Sequence, residues 1–439
     1  MTNYGPYTAF DVEFDTGGHI VDPSSQQKLI SWLSSPAGAE ITDLVVISHG
    51  WNNDITEARA LYSAFFQSMG ATQGASGAAA RKFAIAAIFW PSKRFADYDL
   101  ISGGAAALAP SLSAQLNAQL NQLKTILAAD PTASVKIEHA RDQISKLEVS
   151  QSAQDDFVFA IAGLLPKPRG AADEGLDDSI TALQTGQVQG HAVLSRLSAP
   201  VFPAFPPPAG STGQALGLGG IVSGITGAAS RLLNLFTYYT MKDRAGVVGV
   251  TGVSQMILAI QTALPALRIH LIGHSFGGRL VTAAANSLTA PRTIASMLLL
   301  EAAYSHHGLA KNWDGNGNDG AFRQVMLLPD ISGSILITHS VHDTAVGLAY
   351  PLASRVMNQT ASALGDRNDK YGGMGRNGAQ HTPEAFDDFL APVNAVYAPL
   401  PPGKTIRNLN GDGPAPKPVI MSHGDVAKPE ITWAWLSSL

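Results

Sequence analysis

The chain has no cysteine. That excludes disulfides, thiolate nucleophiles and cysteine-based zinc sites together. It is also poor in charge. Charged residues make up 14% against a usual share of roughly 25%. No run of lysine and arginine occurs, the net charge is −5 and the pI is near 6.2, so no nucleic-acid partner is expected. Uninterrupted apolar stretches of about 18 residues, long enough to span a bilayer, are missing as well. The opening MTNYGPYTAFDVEF has neither a basic segment nor an apolar core of the signal-peptide kind. A soluble, cytoplasmic protein is the expectation. What the chain has instead is 45% apolar residues, 43 glycines and 26 prolines. That composition suits a sizeable core under a loop-rich, weakly charged surface.

The most informative stretch is Arg268–Leu280, RIHLIGHSFGGRL. A short apolar run ends at Gly273. The sequence Gly273-His274-Ser275-Phe276-Gly277 follows, with a further glycine at Gly278, and then an apolar segment that suits a buried helix. A glycine-flanked serine between a strand and a helix can hold a strained backbone and expose its hydroxyl. The plain alternative is a glycine-rich strand-to-helix turn with an incidental serine.

Before it, Thr8–Phe14, Leu44–Ile47 and Phe83–Phe89 read as strands. Helices opening at Asp22-Pro23 and running through Ala58–Phe66 lie between them, the rhythm of a parallel α/β sheet. From about Phe95 to Tyr238 no strand is legible. Leu112–Leu127, Ser134–Leu147 and Asp155–Leu165 read as helices, and Pro166–Gly220 is rich in proline, glycine and alanine. About 140 residues is too long for a connection, so this block reads as a mainly helical insertion. The alternation is expected to resume at Thr237–Tyr239. Strands are expected at Met297–Leu300 and Ser334–Thr338, Gly365–Lys417 is expected to be irregular, and Val419–Ile420 is expected to close the sheet before a last helix, Pro429–Leu436.

A serine hydroxyl is a weak nucleophile, so the chain must also offer an acid, a histidine and an oxyanion site. Asp343, just past Ser334–Thr338, is the first choice of acid, with Glu301 as its competitor at the end of the preceding strand. The histidines after Asp343 are His381 and His423, and His423 is favoured because it follows the last expected strand. Backbone amides for an oxyanion are expected from Phe276, at a helix start, and from Trp51 in Ser48-His49-Gly50-Trp51. An ordinary capped turn is the alternative at Trp51.

On Val45-Val46-Ile47-Ser48-His49-Gly50-Trp51, Ile272–Gly278, Asp343 and His423, the chain resembles the α/β-hydrolase superfamily, and among its members the lipase- and esterase-like serine hydrolases. The resemblance implies a mostly parallel sheet with helices on both faces, residues 1–94 and 237–439, and a helical cap or lid at 95–236. It implies Ser275 as nucleophile, Asp343 as acid, His423 as base, Trp51 and Phe276 as oxyanion donors, and no cofactor. The expected activity is cleavage of a carboxylic ester, on a small-molecule or lipid substrate with a hydrophobic acyl group. Amide or peptide hydrolysis by the same triad, a membrane-surface phospholipase and a non-catalytic binding scaffold are the alternatives. Two weaker signals remain. Leu216–Phe236 reads either as an apolar lid making transient contact with lipid or as a buried helix. Asp314–Gly320 resembles a calcium loop, but its glycine comes late and Val325 stands at the twelfth position, so a surface turn without metal is expected.

Overall fold

The computed structural model describes residues 1–92, 112–128, 130–165, 181–198, 224–289, 294–327, 333–343, 345–346, 367, 372–413 and 418–439. Most of the proline- and glycine-rich segment, 166–180 and 199–220, and the first part of the Leu216–Phe236 stretch, 216–223, lie outside them.

The chain divides into two compact units, Met1–Lys93 with Lys242–Val346 and Gly373–Leu439, and Arg94–Met241 with Gly347–Gly372. The first is α/β. Its nine strands are β1 (Thr2–Tyr4), β2 (Tyr7–Glu13), β3 (Asp43–Ser48), β4 (Phe83–Phe89), β5 (Arg268–His274), β6 (Ser296–Leu300), β7 (Ile335–His339), β8 (Ala385–Phe389) and β9 (Ile406–Asn410). They form one sheet in the order β1-β2-β4-β3-β5-β6-β7-β9-β8. Every pairing is parallel except β1 with β2.

Strands β3 and β4, DLVVIS and FAIAAIF, are buried along their whole length, as parallel strands covered on both faces must be. Alternation sorts their side chains. Val45, Ile47, Ile85 and Ile272 join a core with Tyr62, Phe65 and Phe66 of helix Ile55–Gln73 and Trp435 of helix Pro429–Ser437. The alternate residues Leu44, Val46 and Leu271 point the other way and are buried as well. From β3 the chain moves outward to β4, then crosses to β5 on the other side of β3. The loops after β3 and β5 therefore part in opposite directions, the topological switch point at which α/β sheets place ligands.

Three expectations are corrected. Thr237–Tyr239 lies inside helix Ile225–Val247 and is no part of the sheet. Gly365–Lys417, expected to be irregular, supplies β8 and β9, and Val419–Ile420 is not a strand. The apolar-run test missed β8 and β9 because their cores are AFDDF and IRNLN. Their polar groups pair with one another: Arg407 with Asp388, and Asn408 Nδ2 with Asp387 Oδ1 at 2.9 Å.

The second unit is helical among its described residues: Leu112–Ile126, Ala133–Gln143, Gln151–Ala162, Gly190–Ser198 and the first part of Ile225–Val247. Leu116, Leu120 and Leu123, then Ala133, Ile137 and Ala140, and then Phe157 and Ile161 recur at three- and four-residue spacing and are all buried. Polar ties add to this packing. Glu148 accepts from Thr226 N and Oγ1 at 2.9 and 2.6 Å, and Gln119 Nε2 donates to Asn234 Oδ1 at 3.0 Å.

Helix Ile225–Val247 continues through a π-helical turn, Val248–Val253, into Ser254–Ala263. By length and composition it is the one helix among the described residues apolar enough to cross a membrane, and 56% of its most apolar window is buried. In the described part of the lid stretch, Leu232, Leu233, Leu235 and Phe236 are all buried.

Candidate active site

The C-terminal ends of β3, β5, β6 and β7 carry, in turn, His49–Trp51, Ser275, Glu301 and Asp343. Ser275 stands between the last residue of β5 and helix Phe276–Asn286, with φ 56° and ψ −124°. A non-glycine residue with positive φ is strained and persists only where its surroundings fix it. Here Ser275 N donates to Leu300 O at 3.0 Å, and Ser275 O accepts from Gly278 N at 2.9 Å and Ala303 N at 3.0 Å. The flanking glycines are sterically required. A Cβ on Gly273 would stand 2.3 Å from Gly277 O, and one on Gly277 would stand 2.2 Å from Ser48 O. The turn closes only because both side chains are missing.

The loop after β3 abuts this serine. A Cβ on Gly50 would lie 2.6 Å from Ser275 Cβ and 3.2 Å from its Oγ. The ring of His49 locks the loop. Its Nδ1 bonds Gly50 O at 2.9 Å, its Nε2 accepts from Trp90 N at 3.3 Å, and it stacks on the Trp90 indole. This pattern requires neutral imidazole with the proton on Nδ1. Burial agrees, lowering the His49 pKa to about 4. Ser92 Oγ donates to Asn53 O at 2.9 Å and Ser92 O accepts from Asn52 N, binding the Trp-Pro-Ser turn to the same loop. The loop then enters helix Ile55–Gln73 through a capping box made by Asp54 and Glu57. The Trp51 and Phe276 rings lie 6.0 Å apart.

His423 Nδ1 is 2.9 Å from Asp343 Oδ2 and 3.9 Å from Glu301 Oε2. With the Nδ1 proton donated to Asp343, Nε2 keeps its lone pair, the tautomer a general base needs. Ser275 Oγ makes no hydrogen bond to His423 or to any other described residue. Asp343 is built into its loop: its N donates to Ser340 O at 3.0 Å, and its Oδ1 accepts from Val346 N at 2.9 Å. Residues with no signal in the sequence complete this corner. Asp412, just past β9, accepts from Ser340 Oγ and Val341 N at 2.5 and 3.1 Å, and Arg376 donates to Val341 O at 2.6 Å. A Cβ on Gly375 would meet Glu301 C at 2.5 Å and Asp343 Oδ2 at 2.8 Å.

His274 is a further residue that pattern reading passes over, since the x of G-x-S-x-G carries no information. It is buried, its ring lies 4.8 Å from that of His423, and its Nε2 is 2.8 Å from His423 O. Burial first, then the neighbouring His423, lower its pKa to about 3.

No protein-family model, no curated protein and no solved structure matches this chain.

The other expected residues fall elsewhere. His381 is exposed, has φ 51° and packs edge-on against His307, with ring centroids 4.9 Å apart. It takes no part in the site. Asp314 is occupied as a turn acceptor. Its Oδ1 takes Asn316 N at 2.9 Å and Asn318 N at 3.3 Å, and its Oδ2 takes Asn318 Nδ2 at 2.6 Å. Those amide hydrogen bonds, led by Asn316 N, lower its pKa to about 2. These Asx-type bonds hold the loop as a turn.

A second Ser–His–Asp chain lies at the opposite ends of β3, β5 and β6. Ser296 Oγ is 2.8 Å from His270 Nδ1, and His270 Nε2 is 2.8 Å from Asp43 Oδ1. Here the carboxylate holds Nε2 and the serine Nδ1, and all three residues are fully buried. Asp43 also takes Arg268 at 2.7 and 2.8 Å and Arg81 at 2.7 Å. Burial opposes its charge, but these bonds with those of His270 and Thr42 prevail and hold the carboxyl far below its ordinary value. Trp435 Nε1 donates to Ser296 Oγ at 3.0 Å. This chain is a structural tie with no open face for a substrate.

Proposed function

We propose that the protein is a serine hydrolase of the α/β-hydrolase type that cleaves carboxylic esters. The observation that carries the reading is the strained Ser275 elbow on the same end of the sheet as the Asp343–His423 hydrogen bond. A buried carboxylate on Nδ1 leaves Nε2 as the basic nitrogen. His423 would take the Ser275 Oγ proton as the hydroxyl attacks an acyl carbonyl, with Asp343 stabilising the imidazolium formed. The missing resting hydrogen bond between Ser275 Oγ and His423 is compatible with this, since such bonds commonly tighten only with substrate present.

Backbone amides of Phe276 and Trp51 are assigned to the oxyanion. Phe276 supplies the first N–H of a helix, whose dipole favours a negative charge. The contact of Gly50 with Ser275 Cβ supports Trp51, the next residue, as the other donor. His423 then returns the proton to the leaving alkoxide, and attack by water on the acyl-enzyme releases the acid. Every group this cycle requires is a side chain or an amide of the chain itself. The low charge content favours a hydrophobic acyl group over a charged one.

A fluorophosphonate probe is expected to label the intact chain at Ser275, and Ser275→Ala to abolish both labelling and turnover of short p-nitrophenyl esters. Labelling that survives the substitution would sink the assignment.

A further inference from the structure

Glu301 is a carboxylic acid with an unusual position. It is fully buried, has φ 45°, and follows directly on Leu300, the residue whose carbonyl holds Ser275 N. Neither of its carboxyl oxygens has a hydrogen-bond partner. Yet Oε2 stands 3.9 Å from the same His423 Nδ1 that Asp343 Oδ2 holds at 2.9 Å. Two carboxyls thus face one imidazole nitrogen, and Gly375 packs against the Glu301 backbone and the Asp343 carboxyl.

Resting on the serine-hydrolase reading, we propose that Glu301 and Asp343 form a single acid pair behind His423, holding one proton and one negative charge between them. Two buried carboxylates this close cannot both ionise at modest cost. Asp343 has the hydrogen bonds that favour a charge, from His423 Nδ1 and Val346 N. Glu301 has none, so the proton sits on Glu301. Burial first, and then the charge of Asp343, push the Glu301 carboxyl well above its ordinary range.

His274 donates from Nε2 to His423 O, which leaves Nδ1 as a buried lone pair without a partner. One ligand-capable atom from each of His274, Glu301 and His423 lies within 4.8 Å of the others, a span that one water can bridge. The other groups around Glu301 are Asp425, whose charge adds to that of Asp343, and Lys428, which opposes it. Thr338 Oγ1 takes the Glu301 N–H at 3.2 Å, and Arg376 is turned to Val341 O.

In the working cycle the proton of Glu301 stays where it is. Asp343 alone faces the imidazolium formed when Ser275 gives its proton to His423 Nε2. Glu301 is thus a positioning residue, and it can take over the charge. With Asp343→Asn the like charge is gone, Glu301 can ionise, and its Oε2 becomes the only carboxylate beside Nδ1.

Infrared difference spectroscopy of the full-length wild type against Glu301→Gln at neutral pH reads the pair without needing turnover. The C=O band of a neutral carboxylic acid is expected in the wild type and absent from the variant. No such band, or one that persists in Glu301→Gln, overturns the proposal. So does Zn2+ that removes the band while raising the melting temperature, because the three side chains are then a metal site. The pH–rate profile supplies the second arm. Asp343→Asn is expected to lose about 10^3- to 10^4-fold in kcat/KM but to recover part of it as pH rises and Glu301 ionises. Asp343→Asn with Glu301→Gln is expected to lose at least about tenfold more, without that recovery. Identical profiles for the two variants overturn the proposal. A wild type that is neither labelled nor active refutes the hydrolase reading instead, and the infrared band still decides the pair.

Discussion

The side chain of His274 holds the backbone of His423: its Nε2 donates to the His423 carbonyl at 2.8 Å. The residue next to the candidate nucleophile thereby fixes the loop of the candidate base without competing for its ring. Replacing His274 by alanine is expected to lower kcat/KM of ester hydrolysis by about 10- to 100-fold, since a misplaced catalytic group costs roughly that much. Slower fluorophosphonate labelling at Ser275 should accompany the loss. Full activity in a folded His274→Ala protein would show that the loop is held by other means.

Gly277 carries the closest approach in the site, with Ser48 O 2.2 Å from where a Cβ would stand. The obstacle is backbone, which cannot rotate away as a side chain would. Gly277→Ala should therefore cost about 1–3 kcal/mol of stability and remove probe labelling, because the elbow and the loop after β3 must separate. A chemical melt with a labelling assay checks both. Gly74→Ala, where a Cβ meets nothing, is the matched control.

Stability should fall on acidification earlier than carboxylate titration alone would make it fall. Burial lowers the pKa of His49 to about 4 and of His274 to about 3. In the unfolded chain both titrate near 6.5. Their contribution is thus complete above about pH 6.5 and is lost as pH falls through 4 towards 3. Glu301 runs the other way. Its folded pKa lies above its unfolded one, so its contribution is complete below the ordinary carboxylate range and is lost as pH rises. Glu301→Gln should raise the melting temperature more at pH 8 than at pH 4, and an equal effect at both would refute the neutral form.

The two Ser–His–Asp chains should separate under mutation. Ser296→Ala leaves the Trp435 indole N–H and one His270 nitrogen without their partner, which should cost about 1–3 kcal/mol. Probe labelling should remain at Ser275. Loss of labelling in a folded Ser296→Ala protein would mean that the buried chain and the elbow are coupled.

Calcium should do nothing at Asp314–Gly320. The Asp314 oxygens already accept amide hydrogens of Asn316 and Asn318. Millimolar calcium is expected to leave the melting temperature unchanged, and a rise that Asp314→Asn removes would overturn this.

What sequence could supply followed from hydrophobicity and steric demand. Strands β3 to β7 are apolar runs because both of their faces are covered, and the glycines around Ser275 are forced by backbone contacts a few residues away. Strands β8 and β9 were illegible because β8 is a half-exposed edge strand and the polar side chains of buried β9 pair across to it, Arg407 with Asp388 and Asn408 with Asp387, partners that only the fold brings together. Thr237–Tyr239 looked like a strand because a buried helix rich in aromatics has no polar face to reveal its period. Around the site, Asp343 and His423 could be placed by chain order. Asp412, Arg376 and Gly375 could not, since each acts on a loop distant in sequence.

The Ser275 N–Leu300 O bond gives the site a timetable. Everything that shapes the elbow belongs to the chain up to β6 and the residues just after it, whereas the His274–His423 bond closes over 149 residues. During synthesis the serine turn can therefore form while its base is still unmade. On the proposed reading, a ribosome-bound chain would carry an unarmed hydroxyl until the two polar strands β8 and β9 and the loop that follows them are made. Substitutions that slow the docking of those strands should prolong this interval while leaving the folded protein unchanged.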